Sequence, residues 1–277
     1  MGTQSLVAVV LVLSAALLPA AAAAQDAPQT VVELKLRDGS RLYGAVEREA
    51  EDAITFRTVS GTVLDVRRAD IGSMKAVRGA LVDEEFLPED PNRTRLFFGP
   101  TGRSLPKGQV YFGTYEFLMP FVQVGITDRF SIGGGTPLAF GFGEADRPFW
   151  VTPKLQVLDR GRISAAAGVF HMIADGQAGI AYGVVTVSDP AGSFSAGAGM
   201  AYDNEGDRAP VVMIGGDRRV RRHLKLITEN YVWDGGGVIS GGVRFIGERL
   251  SADVGLGIPL GIGEFVAVPI VNFVYVF

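Results

Sequence analysis

The sequence predicts an all-β chain in two parts: a small charged β-unit followed by a twelve-stranded antiparallel β-barrel of the transmembrane kind. Three observations carry that expectation. Residues 25–107 hold 27 charged side chains in 83 positions, whereas residues 108–277 hold 29 in 170, so two regions with different physics share one chain. From Gln109 onward no helical period persists, and runs of strand length are separated by turn signals such as Asp159-Arg160-Gly161 and Asp234-Gly235-Gly236. The few charges inside those runs alternate with apolar residues, which leaves one face of each strand free of charge.

Composition sets the outer limits. The chain has 277 residues, 37 glycines and no cysteine, so a disulfide scaffold and a thiolate metal site are excluded. A net charge of −4 gives no electrostatic footprint for nucleic acid. Two histidines leave little material for a histidine-ligated metal or histidine-centred catalysis. No cofactor motif is present.

Residues 1–24 carry no charge, and Leu6 to Ala24 is rich in Leu, Val and Ala. The stretch ends in Ala22-Ala23-Ala24, a small-residue cleavage site, and reads as a secretory signal peptide. Residues 31–78 follow as short strands. Val32, Leu34 and Leu36 alternate with charged neighbours, Asp38-Gly39 marks a hairpin turn, and Ile54 and Phe56 share one face of a later run. The pattern LRDGSRLYGAV…ITFRTVSGTVLDVRRADIGSM resembles a small SH3-like or Sm-like barrel, a fold that hosts many functions. Residues 79–107, with Asp83-Glu84-Glu85 and Glu89-Asp90 around Pro88, are expected to form a solvated linker.

The barrel is expected over 108–277. Its predicted strands are 109–118, 120–126, 129–137, 149–158, 162–173, 177–188, 192–202, 209–217, 223–233, 237–246, 249–259 and 265–277. Six charges fall inside strand cores: Glu116, Lys154, Lys225, Glu229, Arg244 and Asp253. Along 249–259, Ser251, Asp253, Gly255 and Gly257 share one face, against Leu250, Ala252, Val254, Leu256 and Ile258 on the other. Strand 149–158 sets Thr152, Lys154 and Gln156 against Val151, Pro153, Leu155 and Val157. A polar or small lumen face opposite a lipid-facing apolar face is the pattern of a transmembrane barrel. The final strand departs from it, since Val268, Ile270, Val274 and Val276 fall on its nominal lumen side.

The chain stops at Phe277, with Phe273 and Tyr275 at alternate positions before it. This terminal pattern resembles the assembly signal of bacterial outer-membrane barrels, and the segments TRLFFGPTGRSLPKGQVYFGTY…VGITDRFSIGGG and ITENYVW are similar to barrel proteins of environmental bacteria, a likeness that covers most of 93–277. The resemblance implies an outer-membrane location with the first domain in the periplasm. It also implies outer-membrane lipid and the barrel-assembly machinery as partners. It supplies no activity.

The six strand charges balance, three against three, which argues for pairing inside a narrow lumen rather than an ion-selective ring. Arg218, Arg219, Arg221 and Arg222 form a basic cluster expected on a periplasmic turn. His171 falls on lipid-facing parity and His223 at a turn, and no nucleophile motif, phosphate loop or metal cluster accompanies them. The expectation is a structural, transport or pore role without enzymatic chemistry. A barrel-embedded lipid or ester hydrolase using His171, and a soluble periplasmic β-rich binding protein, are the alternatives.

Overall fold

Alternating apolar residues and tight polar turns build both parts of the chain, and a computed structural model describes residues 29–82, 85–138, 147–174 and 176–277. The expected signal peptide lies outside the described residues. The chain divides into two compact units, one through Glu89 and one from Asp90 to Phe277.

The first unit is a six-stranded antiparallel sheet. Its strands are β1 (Gln29–Leu36), β2 (Arg41–Glu49), β3 (Ala53–Thr58), β4 (Val63–Arg67), β5 (Ile71–Val82) and β6 (Glu85–Pro88), with one 3-10 turn at Arg68–Asp70. Their order is β4-β3-β2-β1-β5-β6. Leu34, Ile54, Phe56 and Val66 make the core on one face, because period-two alternation places them together. Gly39 takes the β1–β2 turn at φ 92°, where a side chain would be strained. Sequence places the elements well; β6, inside the expected linker, is the strand it misses.

Glu33 is buried on the opposite side of β1 from Leu34, 3% exposed. Its carboxylate accepts from the Tyr43 hydroxyl at 2.7 Å and pairs with Arg41 at 3.0 Å and Lys75 at 3.1 Å. Burial works against the charge, but the Tyr43 and Lys75 hydrogen bonds and the two cations outweigh it and hold the carboxyl below its ordinary value of 4.5. A depressed folded-state pKa stabilises above the unfolded value, and that stability is lost as pH falls. Protection of the β1 and β5 amides, corrected for the slower intrinsic exchange in acid, is therefore expected to fall selectively below about pH 4.5, and Glu33→Gln to remove most of that pH dependence. A flat profile in the native chain would contradict the account.

The second unit is a closed barrel. Its strands are β7 (Val110–Tyr115), β8 (Met119–Gly125), β9 (Phe130–Gly135), β10 (Phe149–Val151), β11 (Lys154–Arg160), β12 (Ile163–Ile173) and β13 (Gln177–Asp189). They continue as β14 (Gly192–Asp203), β15 (Arg208–Arg221), β16 (Leu224–Trp233), β17 (Gly236–Ile246), β18 (Leu250–Leu260) and β19 (Val268–Val276). Both β10 and β11 lie between β9 and β12, as two halves of one strand broken at Thr152-Pro153. Proline lacks the N–H that would continue the ladder there. Twelve staves result, and β19 pairs with β7 to close the ring, Phe273 opposite Thr114. Closure leaves no unpaired sheet edge.

The predicted strands match these within a few residues, with two corrections. The strand expected at 209–217 runs on to Arg221, so Arg218, Arg219 and Arg221 are strand residues rather than a turn. Local partners extend it: Arg219 pairs in register with Lys225, and Arg218 reaches Asp189 at 3.2 Å. Glu116 lies beyond β7 at φ 50°, in the turn to β8, and not in the lumen. Its carboxylate accepts from the Val271 N–H at 3.2 Å, while its own N–H donates to the Val271 carbonyl at 2.8 Å. Both bonds continue the β7–β19 seam past the last paired residues.

The two ends of the barrel differ. At the end where β7 begins and β19 finishes, the turns are short: 126–129, 161–162, 190–191, 222–223 and 247–249. The opposite end carries the longer connections 136–148 and 261–267. The longest of these is largely outside the described residues.

Candidate functional site

The wall alternates as the sequence predicts. Leu226, Phe245, Val254 and Leu256 project outward and are exposed, while Lys225, Arg244, Ser251 and Asp253 point into the lumen and are buried. What fills the lumen is the finding that sequence missed. The expected linker divides: residues 79–82 belong to β5, 85–88 form β6, and 90–105 run inside the barrel. Asp90, Asn92, Leu96, Phe97, Ser104 and Leu105 are each 4% exposed or less. A solvated linker could not bury its charge and aromatics in this way, and each has a partner in the wall.

The plug is a hairpin held by main-chain bonds of its own. The Leu96 N–H donates to the Gly99 carbonyl at 2.9 Å and the Thr101 N–H to the Thr94 carbonyl at 3.0 Å. Leu96 and Phe97 pack on Ile227 and Ile270, and Leu105 lies in a cluster with Tyr111, Phe121, Trp150 and Val274. This explains three of the four apolar lumen positions of the last strand; Val268, at the strand's start, is exposed. Ile270 and Val274 face the plug's hydrocarbon, and each such side chain contributes roughly 1.5–3 kcal/mol when fully buried.

Arg244 is the principal clamp. Its Nε donates to Asp253 at 2.6 Å and a terminal nitrogen to the second Asp253 oxygen at 2.9 Å. The other terminal nitrogen reaches Asp90 at 3.2 Å and the Asn92 carbonyl at 2.8 Å, and the guanidinium also donates to the Leu96 carbonyl. A planar fork of five donors can join wall and plug in this way; a lysine could not. Lys225 stands beside Arg244 in the ladder and bridges Asp90 at 3.1 Å and Asp217 at 2.7 Å.

The six sequence-selected charges therefore do not simply pair with one another. Arg244 and Asp253 do, on adjacent strands as expected. Glu229 instead accepts from the Phe98 N–H at 3.0 Å and the Tyr231 hydroxyl at 2.8 Å. Lys154 donates to the Thr94 carbonyl at 2.9 Å, again on the plug. Two acids that sequence did not select complete the network, Asp90 and Asp217. Asp90 was hidden in an acidic run that reads as solvated, and Asp217 sat at the end of its predicted strand.

Further polar rungs tie the plug down. The Gly102 N–H donates to the Thr186 hydroxyl at 2.8 Å, the Ser104 N–H to Gln156 at 2.8 Å, and Arg103 to Ser188. On the side of the longer connections the plug leaves a chamber of about 420 Å³, bounded by the hairpin and by Tyr111, Phe121, Trp150, Met172 and Tyr231. His171 is not part of it. Its Nδ1 shares a 2.9 Å hydrogen bond with the Tyr202 hydroxyl, and the bare Gly179 pairs with both residues in the ladder between them. At the terminus, Phe277 is 71% exposed and its N–H donates to the Val110 carbonyl at 3.0 Å, while Tyr275 and Phe273 face outward above it.

Fold and site together define a class: a closed twelve-stave barrel with an apolar exterior, a charged interior and a plug drawn from its own chain. No protein-family model matches the sequence, and no curated protein does. Among solved structures the chain is similar to the KdgM porin in complex with disordered oligogalacturonate, at 8% identity and TM-score 0.49, over 61% of this chain and 98% of that one. It is also similar to OmpTdeltaL8, a loop-deletion mutant of an outer membrane protein of Vibrio cholerae, at 11% identity and TM-score 0.38, over 91% and 97%.

Proposed function

We propose that this protein is an outer-membrane barrel with a transport or pore role, its lumen closed at rest by residues 90–105. The observation that carries the reading is the division of the wall. Exposed hydrocarbon rings the outside, while ions and hydrogen-bonding groups line the inside, which suits a wall with lipid on one side only. A soluble β-sandwich would bury its apolar side chains and expose its ions, the reverse arrangement. The plug fits a conduit that must not leak, since ion pairs, hydrogen bonds and apolar packing all fasten it to the wall.

In this reading residues 1–24 direct export and the unit through Glu89 stands in the periplasm, with both ends of the barrel chain on the short-turn side. Its first five strands, β1–β5, with a 3-10 turn before β5 and β5 returning to pair with β1, support the SH3-like assignment. Lipid and the barrel-assembly machinery are the implied partners, and Phe273, Tyr275 and Phe277 carry the assembly signal. Fractionation tests the reading. The native chain is expected in the outer membrane, with an unboiled gel band that shifts on heating; recovery in the soluble periplasm would overturn it. Deleting Phe277 is expected to lower the assembled band severalfold while leaving export intact, and an unchanged band would remove the terminus from assembly.

A further inference from the structure

The chamber beside the plug has a composition that points to a ligand. Its wall is aromatic and aliphatic, yet two cations line it, Arg95 from the plug and Lys154 from β11. Among the described residues, neither has a carboxylate within ion-pair distance, whereas Lys225 and Arg244 each have two. Lys154 is 6% exposed and, among the described residues, is held by plug carbonyls, those of Thr94 and Thr101. The Arg95 guanidinium donates to the hydroxyls of Tyr111 and Tyr115 and lies 4.4 Å from the Phe121 ring centre. Its buried Nε has no hydrogen-bond partner among the described residues. Because Tyr115 accepts there, its own O–H remains a donor. A buried lysine and a half-buried arginine without an acid are costly even beside a wet chamber, and an incoming anion relieves that cost.

We propose that the chamber binds an apolar carboxylate, a molecule with a hydrocarbon body and a single acid group. The carboxylate would sit between Arg95 and Lys154, and the body would lie along Phe121, Trp150, Phe170 and Met172. The volume, about 420 Å³, lies in the usual range of small-molecule sites. Polyanions are disfavoured, because the remaining walls offer hydrocarbon where further charges would fall. As an assignment of cargo the proposal rests on the transport reading; binding itself does not require passage.

Trp150 supplies the reporter, being one of two tryptophans and the one that lines the chamber. In a Trp233→Phe background, in phosphatidylcholine nanodiscs, bromodecanoic acid is expected to quench Trp150 saturably. The matching bromodecanol is expected to bind about tenfold or more weakly, the loss of one charge-assisted contact. Arg95→Met and Lys154→Met, checked for the heat-shifted gel band, should each weaken the acid by a similar factor and leave the alcohol unchanged. Equal affinity of acid and alcohol in the native chain, or quenching that never saturates, overturns the proposal without any variant having to fold. Saturable binding in a barrel that never moves solute would strike the transport reading and leave the site standing. Conductance without binding would strike the site alone.

Discussion

Arg244→Leu is expected to destabilise the barrel by about 3–5 kcal/mol, the range for breaking a buried ion pair by removing one partner. Arg244 is 2% exposed, and its guanidinium serves Asp253, Asp90 and the carbonyls of Asn92 and Leu96 at once. Leucine leaves Asp253 buried without a cation, while Asp90 keeps only Lys225. The neighbouring change Val243→Leu, on the outward face of the same strand, is expected to cost almost nothing, since hydrocarbon then meets hydrocarbon. Urea unfolding in lipid vesicles measures both. If Val243→Leu proved the more damaging, the two faces of β17 would be assigned the wrong way round.

Removing the plug has the second large effect. A variant lacking residues 93–103 is expected to insert as a barrel and to conduct in steps across a planar bilayer, where the full chain stays almost silent. The barrel wall makes its own twelve-stave ring, so the plug is needed for closure of the lumen and not of the sheet. Twelve strands lie between the eight whose interior side chains fill the lumen and the sixteen or more that leave a channel, so the space the plug vacates is expected to admit water and ions. Asp90→Asn, which weakens the grip of Arg244 and Lys225 together, is expected to give brief openings of the same size. Equal, steady conductance in all three chains would show that the plug does not close the path.

Much of this was legible in the sequence because it depends on local alternation. Period two placed Arg244, Asp253, Lys225 and Glu229 on the lumen side and predicted each barrel strand to within a few residues, apart from the extension of β15. Alternation reports which way a side chain points, however, and not what it meets. Nothing in the spacing of Asp90, Arg95, Leu96 and Phe97 distinguishes a solvated linker from a lumen plug, since a hairpin of this size has no period to detect. The signal that could have exposed it was the misfit at Ile270 and Val274. Apolar lumen positions require an apolar occupant, and the run Leu96-Phe97 was the available one. Glu116 was misplaced because positive φ in a non-glycine turn follows from tertiary bonds to Val271, which spacing does not encode.

If the barrel spans a membrane, its apolar face meets lipid while the chamber meets water. The chain has no cysteine, so single cysteines can be introduced without a background. Spin labels at Val254→Cys, Leu226→Cys and Phe245→Cys, in protein reconstituted into phosphatidylcholine vesicles, should collide more with oxygen than with a water-soluble nickel chelate. A label at Met172→Cys, inside the chamber, should show the opposite preference. Nickel accessibility at the three outward sites equal to that at Met172→Cys would contradict a lipid-facing wall, and with it the membrane barrel.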